Sequence, residues 1–289
     1  MDSTNSSSED VRTDKPIFAF LVWAFVLTWV LLFLALWYSS VEVTVRFVGH
    51  ALRITLPTLL SFLANLGPAA AALIVLSTKN RRDERKSLLK ETFAWRVSWR
   101  GYFLALGIPT LILGVAVVEL LTITGLPFHW YQGAFGMWFG TLFFGALFRS
   151  LGEEIGWRGF LLPRLQVRMS GFAASLLVGL TWWTWHLPIR LNPEQAFLLT
   201  GNIIYLVEVL SFSVLLTWLR NAIPGSLVPV TLFHAAFNAG LDTTQISGNA
   251  WIQFRWLICL TVSMLLAACL VLTIFGKQLG AAPEIRARG

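Results

Sequence analysis

Cysteine and charge are both scarce in this chain. Only two cysteines occur in 289 residues, Cys259 and Cys269. Both fall in one apolar run, and ten residues of helix separates them by about 15 Å, too far for a disulfide. No CxxC or Cys/His spacing makes either a metal ligand, so both are expected to pack. Charged residues are 13% of the chain against 56% hydrophobic, where soluble domains run near a quarter charged. That balance excludes an ordinary soluble protein. The net charge of +7 falls in short loops and gives no case for a nucleic-acid partner. His-Glu-x-x-His, Gly-x-Ser-x-Gly and Gly-x-Gly-Asp are all absent, as are any internal repeat and any long low-complexity tract.

Apolar runs are what the sequence has in abundance. Each is about 20 residues long, enough for a ~30 Å hydrocarbon core. The expected fold is all-α, a polytopic membrane protein with about eight spans: 16–38, 57–78, 101–123, 133–153, 171–188, 197–219, 223–241 and 252–275. Residues 1–15 read as a disordered cytoplasmic tail, 16–276 as one transmembrane domain and 277–289 as a second cytoplasmic tail. The N-terminus lacks the basic start and short apolar core of a cleaved signal, so the first span is expected to stay. Segment 41–56, with Arg46 and Arg53, is expected at the interface. The loop 79–100 is rich in Lys and Arg, which places it, and with it both termini, on the cytoplasmic side. Arg164 and Arg168 are expected in the headgroups of that side.

Against this apolar background a few polar groups stand out. Glu153 and Glu154 follow a stretch whose only charge is Arg149. Carboxylates there are costly unless a partner or a wet cavity receives them. Arg158 is one turn beyond Glu154 on the same helix face. The pair reads either as an ordinary ion pair at a helix end or as an arginine orienting a functional carboxylate. Glu153 points about 100° away, free to face a cavity as a base. His186 follows Trp182, Trp183 and Trp185. His234 and Asn238 are again one turn apart, as an interhelical hydrogen-bonding pair, as oxyanion donors or as a metal ligand with its neighbour. These groups share a depth if helix four runs on, kinked at Pro163, to a turn at Ser170-Gly171. Glu154 and His186 then both lie about 24 Å from that turn. Glu153, Glu154, His186 and His234 are therefore expected to line one intramembrane cavity.

The series Glu-Glu-x-x-x-Arg, aromatic-x-x-x-His and His-x-x-x-Asn resembles the motifs of the CPBP family of intramembrane proteases, which includes the type II CAAX prenyl endopeptidases. The resemblance covers about 138–242. The family's second motif begins with Phe, where this chain has Trp182, a change expected to keep an aromatic wall. Gly67-Pro68 adds a weaker likeness. The resemblance implies an endopeptidase acting on a membrane-associated or prenylated peptide or protein. Glu153 and His186 would activate water, His234 and Asn238 would stabilise the oxyanion, and Glu154 and Arg158 would support the site. Glu153, His186 and His234 are the candidate ligands if a divalent metal such as zinc is used, and a metal-free glutamate mechanism fits the sequence equally. The location implied is multi-pass, in a cell membrane or the endoplasmic reticulum, in contact with lipid. A non-catalytic binding or immunity protein of the same fold is the second reading. A proton-coupled transporter is the third, disfavoured because intramembrane polar residues gather in the second half.

Overall fold

The computed structural model describes residues 15–38, 41–47, 50–126, 134–142, 146–190, 198–244 and 250–281. Helix α1 (Lys15–Trp37) is apolar on every side, as a lipid-embedded helix is. It buries one stripe, Phe20, Ala24, Thr28, Leu32 and Ala35, and leaves Phe18, Val26, Val30 and Phe33 exposed. A bent pair follows, α2 (Leu56–Ala64) and α3 (Gly67–Val75), with 44° between their axes. Then come α4 (Arg82–Thr92) and α5 (Trp99–Thr124), and after them α6 (Ala134–Thr141) and α7 (Leu147–Glu154). A π-helical stretch, Ile155–Leu161, leads into α8 (Leu162–Gln166). The chain ends in α9 (Gly171–Trp185), α10 (Leu187–Arg190), α11 (Leu198–Ala222), α12 (Val228–Thr244) and α13 (Ala250–Phe275).

Helix is present in every segment where a span was expected, and the architecture is helical and polytopic. Among the described residues four helices are long and apolar enough to cross a membrane, or five if α2 and α3 count as one span. The other expected spans show no single α-helix of that length among the described residues: α6 and α7 have 8 residues each, α9 has 15 and α12 has 17. Hydropathy counts apolar residues and does not register where a helix breaks.

Segment 41–56 is extended where most of the described chain is helical. Residues Glu42–Phe47 and His50–Thr55 form an antiparallel hairpin, β1 and β2, paired from Glu42 with Thr55 to Phe47 with His50. The alternation of Val43, Val45 and Phe47 with polar residues suits a strand. Thr55 then caps α2, its hydroxyl accepting from the Thr58 N–H.

The basic loop 79–100 is also more than a loop. Its carboxylates dock α4 onto the bundle: Glu84 pairs with Arg164, and Glu91 with Arg220. The Arg164 guanidinium also lies 3.7 Å over the Phe160 ring. Arg164 is thus held within the protein, where lipid headgroups were expected to receive it. Counting only Lys and Arg hid the acids interleaved with them.

The long reading of helix four holds in its essentials. The chain stays helical to Gln166, turns over 167–170, and restarts at Gly171 with the Ser170 hydroxyl accepting from the Ala173 N–H at 3.2 Å. The distortion falls ahead of Pro163. Proline offers no N–H to the turn behind it and crowds the carbonyl four residues back. Widening of residues 155–161 into a π-helix absorbs both effects.

Two glycines on this helix let it approach the α2–α3 bend. A Cβ on Gly152 would sit 2.5 Å from the Asn65 carbonyl oxygen, and one on Gly156 would sit 2.4 Å from Pro68 Cβ. The Gly67-Pro68 pair noted in the sequence is therefore the surface against which the Glu-Glu segment is seated. Phe20, Trp157, Phe160 and Trp185 pack beside it, with ring centroids 4.8–6.0 Å apart.

Candidate active site

A cavity of about 730 Å³ opens between α2, α7, α9, α11 and α12. Glu153, His186, His234 and Asn238 all line it. A larger groove of about 1140 Å³ runs along the outer face of α5, but it is open, almost wholly apolar and holds none of the motif residues.

Glu153 is 3% exposed, and its Oε2 accepts a 2.6 Å hydrogen bond from the indole N–H of Trp182. This contact joins the two arms of the α7–α9 hairpin, one turn before His186 on α9. It also corrects the sequence reading of Trp182. The residue is more than an aromatic wall, because its N–H holds the carboxylate, which Phe at the same place would not do.

His186 caps the end of α9. Its Nδ1 lies 2.9 Å from the Trp182 carbonyl oxygen. A carbonyl only accepts, so Nδ1 carries the proton, and Nε2 of the neutral ring keeps its lone pair. The ring is held edge-on by Trp185 and Tyr205, at 4.7 and 5.9 Å.

Glu154 departs from its expected place. It is fully buried and does not line the cavity. Its Oε1 accepts from Arg158 Nη1 at 2.9 Å and lies 2.9 Å from His234 Nδ1. Arg158, also fully buried, donates from Nη2 to Ser213 Oγ at 3.3 Å, and Ser213 donates in turn to the Ser175 carbonyl at 2.7 Å. The guanidinium carbon sits 4.7 Å over the Trp182 ring. Neighbouring residues on a helix point about 100° apart, so one glutamate faces the cavity while the other faces α12 behind it. The Glu154–Arg158 pair is thus a sealed ion pair, and it also fixes His234 by one ring nitrogen. Asn238, one turn on, reaches the cavity with no hydrogen bond to any described residue.

Sequence reading missed four parts of this site. Ser213 gave no signal in an apolar run. Arg149 and Asp242 pair at 2.8 Å beside the cavity, a contact 93 residues long in sequence. Tyr205 and Glu208 line the wall formed by α11. Glu208 was findable by the criterion that singled out Glu153, a carboxylate within an apolar run.

Among the described residues no group of three His, Cys, Asp or Glu side chains is arranged to hold a metal ion. The His186 and His234 Nδ1 atoms are engaged by the Trp182 carbonyl and Glu154, and one Glu153 oxygen by Trp182. These contacts leave the two Nε2 atoms and the second Glu153 oxygen facing the cavity side of the site.

Comparison with known proteins converges on the same segment. Residues 135–240 match the family model of the Rce1-like type II CAAX prenyl endopeptidases. The chain is 29% identical over 231 residues to CAAX prenyl protease 2 of Methanococcus maripaludis, covering 74% of this chain and 83% of that protein. It is 25% identical over 186 residues to lysostaphin resistance protein A of Staphylococcus epidermidis, covering 61% of this chain and 45% of that longer protein. The matched segment contains all six motif residues, and over residues 135–240 the chain is similar to the type II CAAX prenyl endopeptidases.

Proposed function

We propose that the chain is an intramembrane endopeptidase that cleaves membrane-associated peptides, a prenylated C-terminal peptide being the first substrate class to test. The observation that carries this reading is the cavity itself. It gathers a carboxylate, a histidine with a free Nε2 and a His–Asn pair, while the charge needed to anchor them is sealed behind. The names of the similar proteins support the substrate class.

In the proposed reaction Glu153 and His186 Nε2 hold a water. Glu153 takes one of its protons as the hydroxide adds to the scissile carbonyl. The oxyanion forms towards His234 Nε2 and the Asn238 amide. When the intermediate collapses, the C–N bond breaks and the protonated Glu153 returns its proton to the leaving amine. To donate through Nε2, His234 must be protonated on both nitrogens, and Glu154 supplies the opposing charge. Glu153, Glu154, Arg158 and His234 then sum to zero, which limits the cost of burying them. No step uses a metal. Both termini and the 79–100 loop are proposed to face the cytoplasm.

The direct test compares the protein content of membranes containing the wild-type chain with membranes containing Glu153→Gln. The expected result is one or more membrane-associated proteins shortened only by the wild type. Identical profiles, together with wild-type behaviour of Glu153→Gln in any host phenotype, would favour a binding protein of the same fold.

Trp182→Phe separates the hydrogen bond from the wall. Phe keeps a packed ring but leaves Glu153 without its donor. Hydrogen bonds to charged groups contribute about 1.5–3 kcal/mol, so cleavage should fall by about 10- to 100-fold while folded yield is retained. Wild-type turnover in this variant would remove Trp182 from the site's working parts.

A further inference from the structure

The proposed mechanism leaves one buried carboxylate unused. Glu208 lies midway along α11 and is 7% exposed. It lines the same cavity as Glu153 and accepts no hydrogen bond from any described residue. A carboxylate so placed is expensive unless a partner or ligand receives it. The nearest cation does not serve. Arg190 and Glu208 interact electrostatically but form no direct ion pair. The Arg190 guanidinium instead lies 4.2 Å over the face of the Tyr205 ring.

The place of Glu208 relative to the chemistry can be stated. Tyr205 packs edge-on against His186, with centroids 5.9 Å apart. Tyr205 and Glu208 are three apart on one helix and so are neighbours, with Cβ atoms about 5–6 Å apart. Glu208 is therefore on the order of 10 Å from the imidazole proposed to hold water. An extended peptide advances about 3.3 Å per residue, so this distance corresponds to about two to three residues of bound substrate. The other charges at the cavity are accounted for. Arg149 closes on Asp242, and Glu153 belongs to the neutral set with Glu154, Arg158 and His234. Glu208 is the carboxylate lining the cavity that has no bonded partner among the described residues.

We infer that Glu208, beside Tyr205, forms a subsite for a cationic side chain of the substrate, lysine or arginine, about two to three residues from the cleaved bond. Held there, the cation completes a charge pair away from bulk water, where it is worth more than at a surface. The inference rests on the proposed endopeptidase reading and adds a rule of sequence preference to it.

The test reads binding, so that it stands apart from catalysis. Glu153→Gln chains in lipid nanodiscs are titrated with farnesylated peptides carrying a single Lys, Gln or Glu at each of the three positions after the prenylated cysteine. At one position Lys should bind at least about tenfold more tightly than Glu, a difference of about 1.4 kcal/mol. Adding Glu208→Gln, which is nearly isosteric, should abolish that preference while leaving the Gln peptide's affinity within about threefold. Adding Glu208→Lys should invert the preference towards Glu. A preference that survives Glu208→Gln, a preference for Gln over Lys, or no binding of any peptide would overturn the subsite. Cleavage by the wild type that ceases in Glu153→Gln, with no Lys preference, would overturn the subsite alone and leave the endopeptidase reading standing.

Discussion

Glu153→Gln should lose at least about 100-fold in cleavage, because positioned acid–base groups supply 10²–10⁴, and should still fold. The substitution keeps the size of the side chain. Its amide oxygen can accept the 2.6 Å hydrogen bond that Trp182 now gives to the carboxylate. Desolvation of an anion is relieved at the same time. Activity should therefore fall without a matching loss of protein. The measurement is turnover of a validated substrate alongside folded yield after detergent extraction. Full activity would end the assignment of Glu153 as base. Loss of folded protein would make Glu153 structural.

Arg158→Ala should fail in the opposite way, through the fold. Arg158 and Glu154 are both without solvent exposure, 2.9 Å apart. Removing the cation leaves Glu154 in the interior with His234 as its only bonded partner among the described residues. Breaking a buried pair in this way costs about 3–5 kcal/mol. The substitution also opens a void beneath the Trp182 ring and leaves Ser213 without a hydrogen bond to accept. Total stability of a domain is about 5–15 kcal/mol, so the variant should extract poorly and melt well below the wild type. The remaining folded fraction should be impaired as well, since Glu154 orients His234. Glu154→Gln combined with Arg158→Met removes both charges and should recover part of the yield but little activity. Wild-type melting and turnover in Arg158→Ala would show that the sealed pair supports neither the fold nor the site.

The sequence by itself determined whatever lies within one helix. A period of 3.6 residues puts Glu154 beside Arg158 and His234 beside Asn238, and turns Glu153 away from Glu154. Counting residues from the Ser170 turn was enough to bring Glu154 and His186 to one expected level, because rise per residue is fixed. Apolar content was enough for a helical membrane protein. What only the tertiary structure decided are the contacts between helices. Glu154 meets His234 across 80 residues, Glu153 meets Trp182 across 29, and Arg158 meets Ser213 across 55. Which glutamate faces the cavity depends on how α7 is rotated against α12. That rotation is set by Gly152 and Gly156 seating on the α2–α3 bend. The hydrophobic pattern cannot report such rotations here. In a helix like α1, apolar on every side, lipid and protein interior offer the side chains nearly the same environment, so the buried stripe Phe20, Ala24 and Thr28 leaves no mark in the sequence. Small residues and hydrogen bonds choose the packed face, and their effect exists only once the neighbouring helix is in place.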